Sequence, residues 1–169
     1  MNSKCIYNVE GSCEEQLIGA LKQQPAKIIP GKVKIFNVIQ RLIPKSQLLS
    51  IQPGTIVALV FDTDVPVTEY LKKNVEQLKK FCGSVKIIYL AQVLNLEDEL
   101  ARCTDVKAAQ ELTQSRSNKN FKADFCRMKS VECRNMLERH HIDVLNLWTT
   151  TVPSDFSFVE HNSNQVKLD

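Results

Sequence analysis

Glycine is scarce in this 169-residue chain, at five, and proline numbers six, so collagen-like and low-complexity architectures are excluded. No apolar run approaches the roughly 20 residues of a membrane-spanning helix. The six cysteines (5, 13, 82, 103, 126 and 133) include no C-x-x-C pair, which argues against a zinc site. Several fall within apolar patterns and read as reduced, buried thiols. An excess of one charge sign is also missing. Lys and Arg number 22 against 19 Asp and Glu, and the net charge of +3 is too small to imply a nucleic-acid partner. The first residues reach Glu10 too soon for a signal peptide, so the expectation is a cytoplasmic protein. There is no internal repeat. What remains is an ordinary composition, 43% hydrophobic and 24% charged, in a chain long enough for one domain with a core.

The most informative stretch is Thr55-Ile56-Val57-Ala58-Leu59-Val60-Phe61-Asp62-Thr63-Asp64. A short apolar run rich in β-branched residues, preceded by Gly54, predicts a buried strand of a parallel sheet. Ligands in open α/β sheets bind outside the carboxyl ends of strands, which is where Asp62 and Asp64 fall. An extended D-x-D puts both carboxylates on one side of the chain, about 6–7 Å apart given the strand rise. That arrangement suits a hard cation such as Mg²⁺, with Mn²⁺ as a substitute. The plainer reading is two solvated acids in a loop after a core strand.

Around that stretch the pattern alternates. Residues 5–9 read as a first strand ending in Glu10-Gly11. Ser12-Cys13-Glu14-Glu15 matches an S-x-x-E capping box with Ser12 as N-cap, so a helix over 13–22 follows. Glu14 lies on the same face as Ile18 and Leu21. Either it compensates the helix dipole or it shares a site with Glu10 at the strand–helix junction. Further strands are expected over 33–39, 85–90 and 144–148. Helices are expected over 67–81, with Gly83 as its stop, over 105–113, and over 121–139, with a short helix near 46–50. Strands alternating with helices define an α/β class. The expected domain is single, with its core over about 4–148 and a polar tail over 149–169.

Three acids, Glu97, Asp98 and Glu99, follow the fourth strand pattern. They are either a solvated helix start or a source of one more acid for the cluster. The polar segment 114–120 contains Arg116, Ser117 and Lys119. The helix pattern after it adds Lys122, Arg127 and Arg134, and basic residues outnumber acidic ones between 116 and 139. A charge run is usually a solvated face. Opposite an acidic centre, this one suits a phosphate-bearing partner. His140 and His141 suit a helix C-terminus and pair with no nucleophile.

Tyr7-Asn8-Val9-Glu10-Gly11 followed by Val60-Phe61-Asp62-Thr63-Asp64 resembles the Toprim domain of topoisomerases, bacterial primases, small RNA maturases and overcoming-lysogenization-defect (OLD-type) nucleases. Glu14 looks like the second acid of the OLD-type pattern. Ser117-Asn118-Lys119 looks like its S-x-K element, with Ser115 and Lys122 as nearby alternatives. The resemblance spans roughly residues 4–148 and implies a Rossmann-like, mostly parallel sheet flanked by helices. It implies a Mg²⁺-dependent nuclease acting on DNA or RNA. Glu10, Asp62 and Asp64 would be both catalytic and metal-binding. Glu14 and one of Glu97 or Glu99 would serve a second ion. Lys119 would stabilise the transition state, and Arg116, Ser117, Lys119, Lys122, Arg127 and Arg134 would meet nucleic acid. The sequence has no ATPase region, zinc-binding primase module or topoisomerase tyrosine domain. Substrate choice is therefore expected to rest on a partner, such as an ATPase, or on a homo-oligomer, in a setting of phage defence by analogy. Two other readings stay open: a non-catalytic Toprim-like module that binds nucleic acid or protein, and a D-x-D phosphatase.

Overall fold

The structure, a computed structural model, describes residues 4–168. Four strands, β1 (Cys5–Val9), β2 (Lys32–Ile35), β3 (Ile56–Asp62) and β4 (Lys86–Gln92), form one parallel sheet in the order β2-β1-β3-β4. The α/β class is as expected. β3 is central because it is apolar on both faces. Ile56, Ala58 and Val60 enter one hydrophobic layer and Val57, Leu59 and Phe61 the other.

The first layer is covered by α1 (Ser12–Leu21), α4 (Leu96–Cys103), α5 (Asn118–Arg127) and α6 (Ser130–Arg139). The second is covered by α3 (Glu69–Phe81) and a short α2 (Lys45–Leu49). α3 buries Leu71, Val75 and Leu78, spaced for one helical face. Asn74 on that face is fully buried and satisfied: its Nδ2 donates to the carbonyls of Val38 and Arg41, and its Oδ1 accepts from Ile43 N–H at 2.7 Å. The helix stops at Phe81, and Gly83 follows at φ +59°, as its place in the sequence predicts. Gly31 brings the edge strand home. A Cβ there would lie 2.5 Å from the Cys5 carbonyl oxygen.

Several expected elements are corrected. Residues 144–148 form turns instead of a strand. Trp148 has φ +59°, outside the extended conformation of a strand, and its N–H is taken by the Glu99 carboxylate. The helix expected over 121–139 is two helices. Met128 is extended at φ −63°, ψ 147°, and its carbonyl accepts from Gln16 Nε2 at 2.7 Å, a bond from α1 that a continuous helix would forgo. Residues 105–113 hold only a 3₁₀ turn, Ala109–Glu111. α1 is capped one residue early. Gly11 is the N-cap, Ser12 is already helical, and Glu14, in place of Glu15, accepts from the Gly11 N–H at 2.9 Å. The tail after 149 is part of the fold. Phe156 is fully buried and stacks on Phe61 with centroids 5.9 Å apart, a pair worth about 0.5–1.5 kcal/mol beyond its buried area. Asn162 closes the open edge of β4, accepting from Tyr89 N–H and donating to the Ile87 carbonyl.

Candidate functional site

Glu10, Asp62 and Asp64 stand at the carboxyl ends of the two central strands. Glu10 directly follows β1, Asp62 ends β3, and the Glu10 carboxylate accepts from the Asp62 N–H at 3.3 Å. Thr63 between the two aspartates is buried and fixes the turn. Its N–H meets the carbonyls of Gln92 and Leu94, and its hydroxyl accepts from Leu94 N–H at 3.0 Å. Asp64 is thereby held out in solvent. The three acids line one cleft of about 320 Å³, whose other wall includes Ile39, Val65, Val67 and Tyr70.

Asp62 lies two residues after Val60, so its side chain shares the face covered by α1, α4 and α5. Two more acids reach that face. Glu14, in the first turn of α1, is 7% exposed, and burial pushes its carboxyl up, with Glu10 and Glu97 adding repulsion. Glu97, in the first turn of α4, pairs with Lys122 of α5 at 3.0 Å. Burial first, and then the charges of Glu10, Glu14, Asp64 and Glu97, push Asp62 up to about 8. Asp62 Oδ1 is buried with no hydrogen-bond partner. Gln92, in register with Asp62 on β4 and on the same face, is fully buried with neither amide atom partnered. Gln92 is not among the residues expected from the sequence, where its only signal is a polar residue closing the apolar run 87–91.

Among the described residues, no three Asp, Glu, His or Cys side chains converge closely enough to hold a metal ion. Glu10 and Glu14 are each turned onto a backbone N–H instead.

Other expected site residues are elsewhere. Glu99 is fully buried and serves the core: it accepts from Trp148 N–H and pairs with Arg102 at 2.6 Å. That corrects its assignment as a metal ligand. Arg134 is 5% exposed, pairs with Glu138 at 2.6 Å and donates to the Pro25 carbonyl at 3.2 Å. It faces inward and ties α6 to the loop after α1, so it is not free to meet nucleic acid. Ser117 is the N-cap of α5, accepting from Asn120 N–H at 3.2 Å and donating to its Oδ1 at 2.8 Å. The side chains of Arg116, Lys119 and Arg127 are exposed and make no hydrogen bond or ion pair among the described residues. The lysine brought to the acids is Lys122. Its hydrogen bond to Glu97 holds its ammonium above the ordinary value, with Asp62 among the nearby charges that add to this.

Compared with known protein families, curated proteins and solved structures, the chain finds no match in any of the three. No helix among the described residues is long and apolar enough to cross a membrane.

Proposed function

We propose that this chain is a Mg²⁺-dependent nuclease that hydrolyses phosphodiester bonds of DNA or RNA, on a Toprim-like fold. The observation that carries the reading is Asp62: a buried carboxylate with an unpartnered oxygen, ringed by four other acids and approached by one lysine. Burial and the surrounding acids favour a proton on this group; its ionised form lacks a countercharge, which a divalent cation would supply in the proton's place. The donor set fits a hard ion, since every member is a carboxylate. Glu10, Asp62 and Asp64 would hold one ion, and Glu14 with Glu97 a second, once Glu10 and Glu14 turn from their backbone amides. When bound, such ions polarise a phosphodiester and lower the pKa of an attacking water.

The chain's own groups do the rest. Lys122, which the fold brings to the acids through its pair with Glu97, would donate to the phosphate as charge builds on it. Lys119, Arg116 and Arg127 offer exposed charge to the backbone of the nucleic acid. The apolar wall of the cleft, with the Tyr70 ring, gives an unstacked base a surface to pack on. Substrate choice rests on a partner ATPase or on self-association, in a cytoplasmic setting.

One observation favours a second reading. The carboxylates do not converge on one point, which suits a module that binds nucleic acid without cutting it. One experiment separates the two. Purified protein is incubated with plasmid, single-stranded DNA and total tRNA in Mg²⁺, Mn²⁺ or EDTA. Cleavage that EDTA and Asp62→Ala both abolish supports the nuclease. Binding of any of these substrates with no cleavage in either ion supports the second reading and overturns the first.

A further inference from the structure

We propose that Cys13 and Cys126 are a redox modification site: a dithiol that closes to a reversible disulfide when exposed to a peroxide, tying α1 to α5 beside the acidic cluster. The two Sγ atoms lie 2.8 Å apart, although the residues are 113 positions apart in sequence. The other four cysteines are buried, whereas these two are partly exposed. Cys126 lines an open surface groove with Ser12, Gln16 and Ser130, so a small oxidant reaches it directly. The Ser12 hydroxyl lies 3.4 Å from the Cys126 sulfur, within hydrogen-bonding distance of it.

The chemistry balances with hydrogen peroxide. The Cys126 sulfur, as thiolate, attacks one peroxide oxygen. The O–O bond breaks and the departing hydroxide takes up the thiol's proton as water, leaving a sulfenic acid. The Cys13 sulfur then attacks that sulfur. The S–S bond forms, the S–O bond breaks, and the hydroxyl leaves with the Cys13 proton as a second water. The two thiols lose two electrons and two protons in all, and the peroxide is reduced to two waters. A dithiol reductant reverses the bond by thiol–disulfide exchange.

The position gives the bond a consequence. Cys13 precedes Glu14, and its Sγ donates to the Lys122 carbonyl at 3.7 Å. Lys122 lies one helical turn before Cys126 and pairs with Glu97. A disulfide therefore fixes the lysine-bearing helix against the acid-bearing one. The proposal stands whether or not the protein is a nuclease, because its test reads covalent state and backbone exchange.

The full-length chain is treated under native conditions with a slight excess of hydrogen peroxide, alkylated and digested with trypsin. The expected result is a loss of two mass units and a linked pair of peptides covering 5–22 and 123–127, with fragmentation assigning Cys13 over Cys5. Dithiothreitol should restore both free thiols. Amide exchange in α5 should slow by about tenfold or more on oxidation in the wild type and stay unchanged in Cys126→Ser. Independent alkylation of Cys13 and Cys126 after peroxide, linkage of either to another cysteine, or over-oxidation of Cys126 alone would overturn the pairing. A linked pair with unchanged exchange in α5 would overturn the tie between helices.

Discussion

Two acids lie under the same face of the sheet, and they are treated in opposite ways. Glu99 is fully buried and has a partner for each oxygen, the Trp148 N–H on one and the Arg102 guanidinium on the other. Asp62 is less buried, yet one of its oxygens has no partner and its neighbours are mainly acids. Removing a carboxylate from water costs several kcal/mol unless partners replace the lost hydration. Glu99 receives that replacement from the fold and stabilises the turns at 144–148. Asp62 does not, so the fold bears a cost at the end of its central strand. A site under such a cost is where a ligand gains most by binding, and that contrast is the physical basis for the proposal that the end of β3 is the functional site.

The largest expected effect is at Glu99. Glu99→Ala leaves Arg102 without its partner and the Trp148 N–H buried with none, and should lower unfolding stability by about 3–5 kcal/mol. Urea unfolding measures it. A loss below about 1 kcal/mol would mean that Glu99 is no better supported than Asp62, and the contrast would collapse.

The next effect has the opposite sign and depends on pH. The Asp62 carboxyl is raised from 3.8 to about 8, so between those values the folded chain holds a proton that the unfolded chain has released. Stability from this group is fully present below about pH 4 and is lost as pH rises toward 8. Asp62→Asn, which cannot ionise, should flatten that decline. At pH 8 the variant should be more stable than the wild type by several kcal/mol, shrinking toward zero near pH 4. A variant less stable at pH 8 would show that the ionised carboxylate is well supported after all. A cation competes with the same proton. Mn²⁺ should therefore raise the melting temperature more at pH 8 than at pH 5, and the rise should vanish in Asp62→Asn. An equal rise in the variant would move the ion elsewhere.

How much of this was legible in the sequence follows from which interactions are local. β3 and its D-x-D could be read directly, because an unbroken β-branched run has few alternatives and the acids end it. Glu10 and Gly11 were placed by the same logic at β1. The Glu99 role was not legible. It depends on a turn at 144–148 whose apolar residues mimic a strand, and only the fold brings Trp148 N–H against α4. The break between α5 and α6 carries no glycine or proline; a bond from Gln16 to the Met128 carbonyl sets it. That break explains Arg134: seven residues after Arg127, it would share a face with it on a continuous helix, and the break turns it inward. Lys122 and Lys119 were both named in the sequence, but only the docking of α5 on α1 and α4 decides which one meets the acids. The buried tail was missed because Phe156, Val159 and Val166 follow no helical or strand period.

The smallest effect separates the basic residues that the sequence grouped together. Arg127 is exposed and unpaired among the described residues, whereas Arg134 is held inside by Glu138 and the Pro25 carbonyl. If nucleic acid lies along α5, Arg127→Ala removes about one phosphate contact. The slope of log affinity against log salt should then become shallower by about 0.7–0.9, a change of a few-fold in affinity near physiological salt. Arg134→Ala should leave that slope unchanged and lower stability instead, since Glu138 and two backbone carbonyls lose their donor. Fluorescence anisotropy with a labelled single strand over a salt series, paired with urea unfolding of each variant, reads both quantities. Equal slopes for Arg127→Ala and the wild type would take α5 out of the nucleic-acid surface. A shallower slope for Arg134→Ala would mean that α6 turns on binding and releases an arginine that the free protein keeps inside.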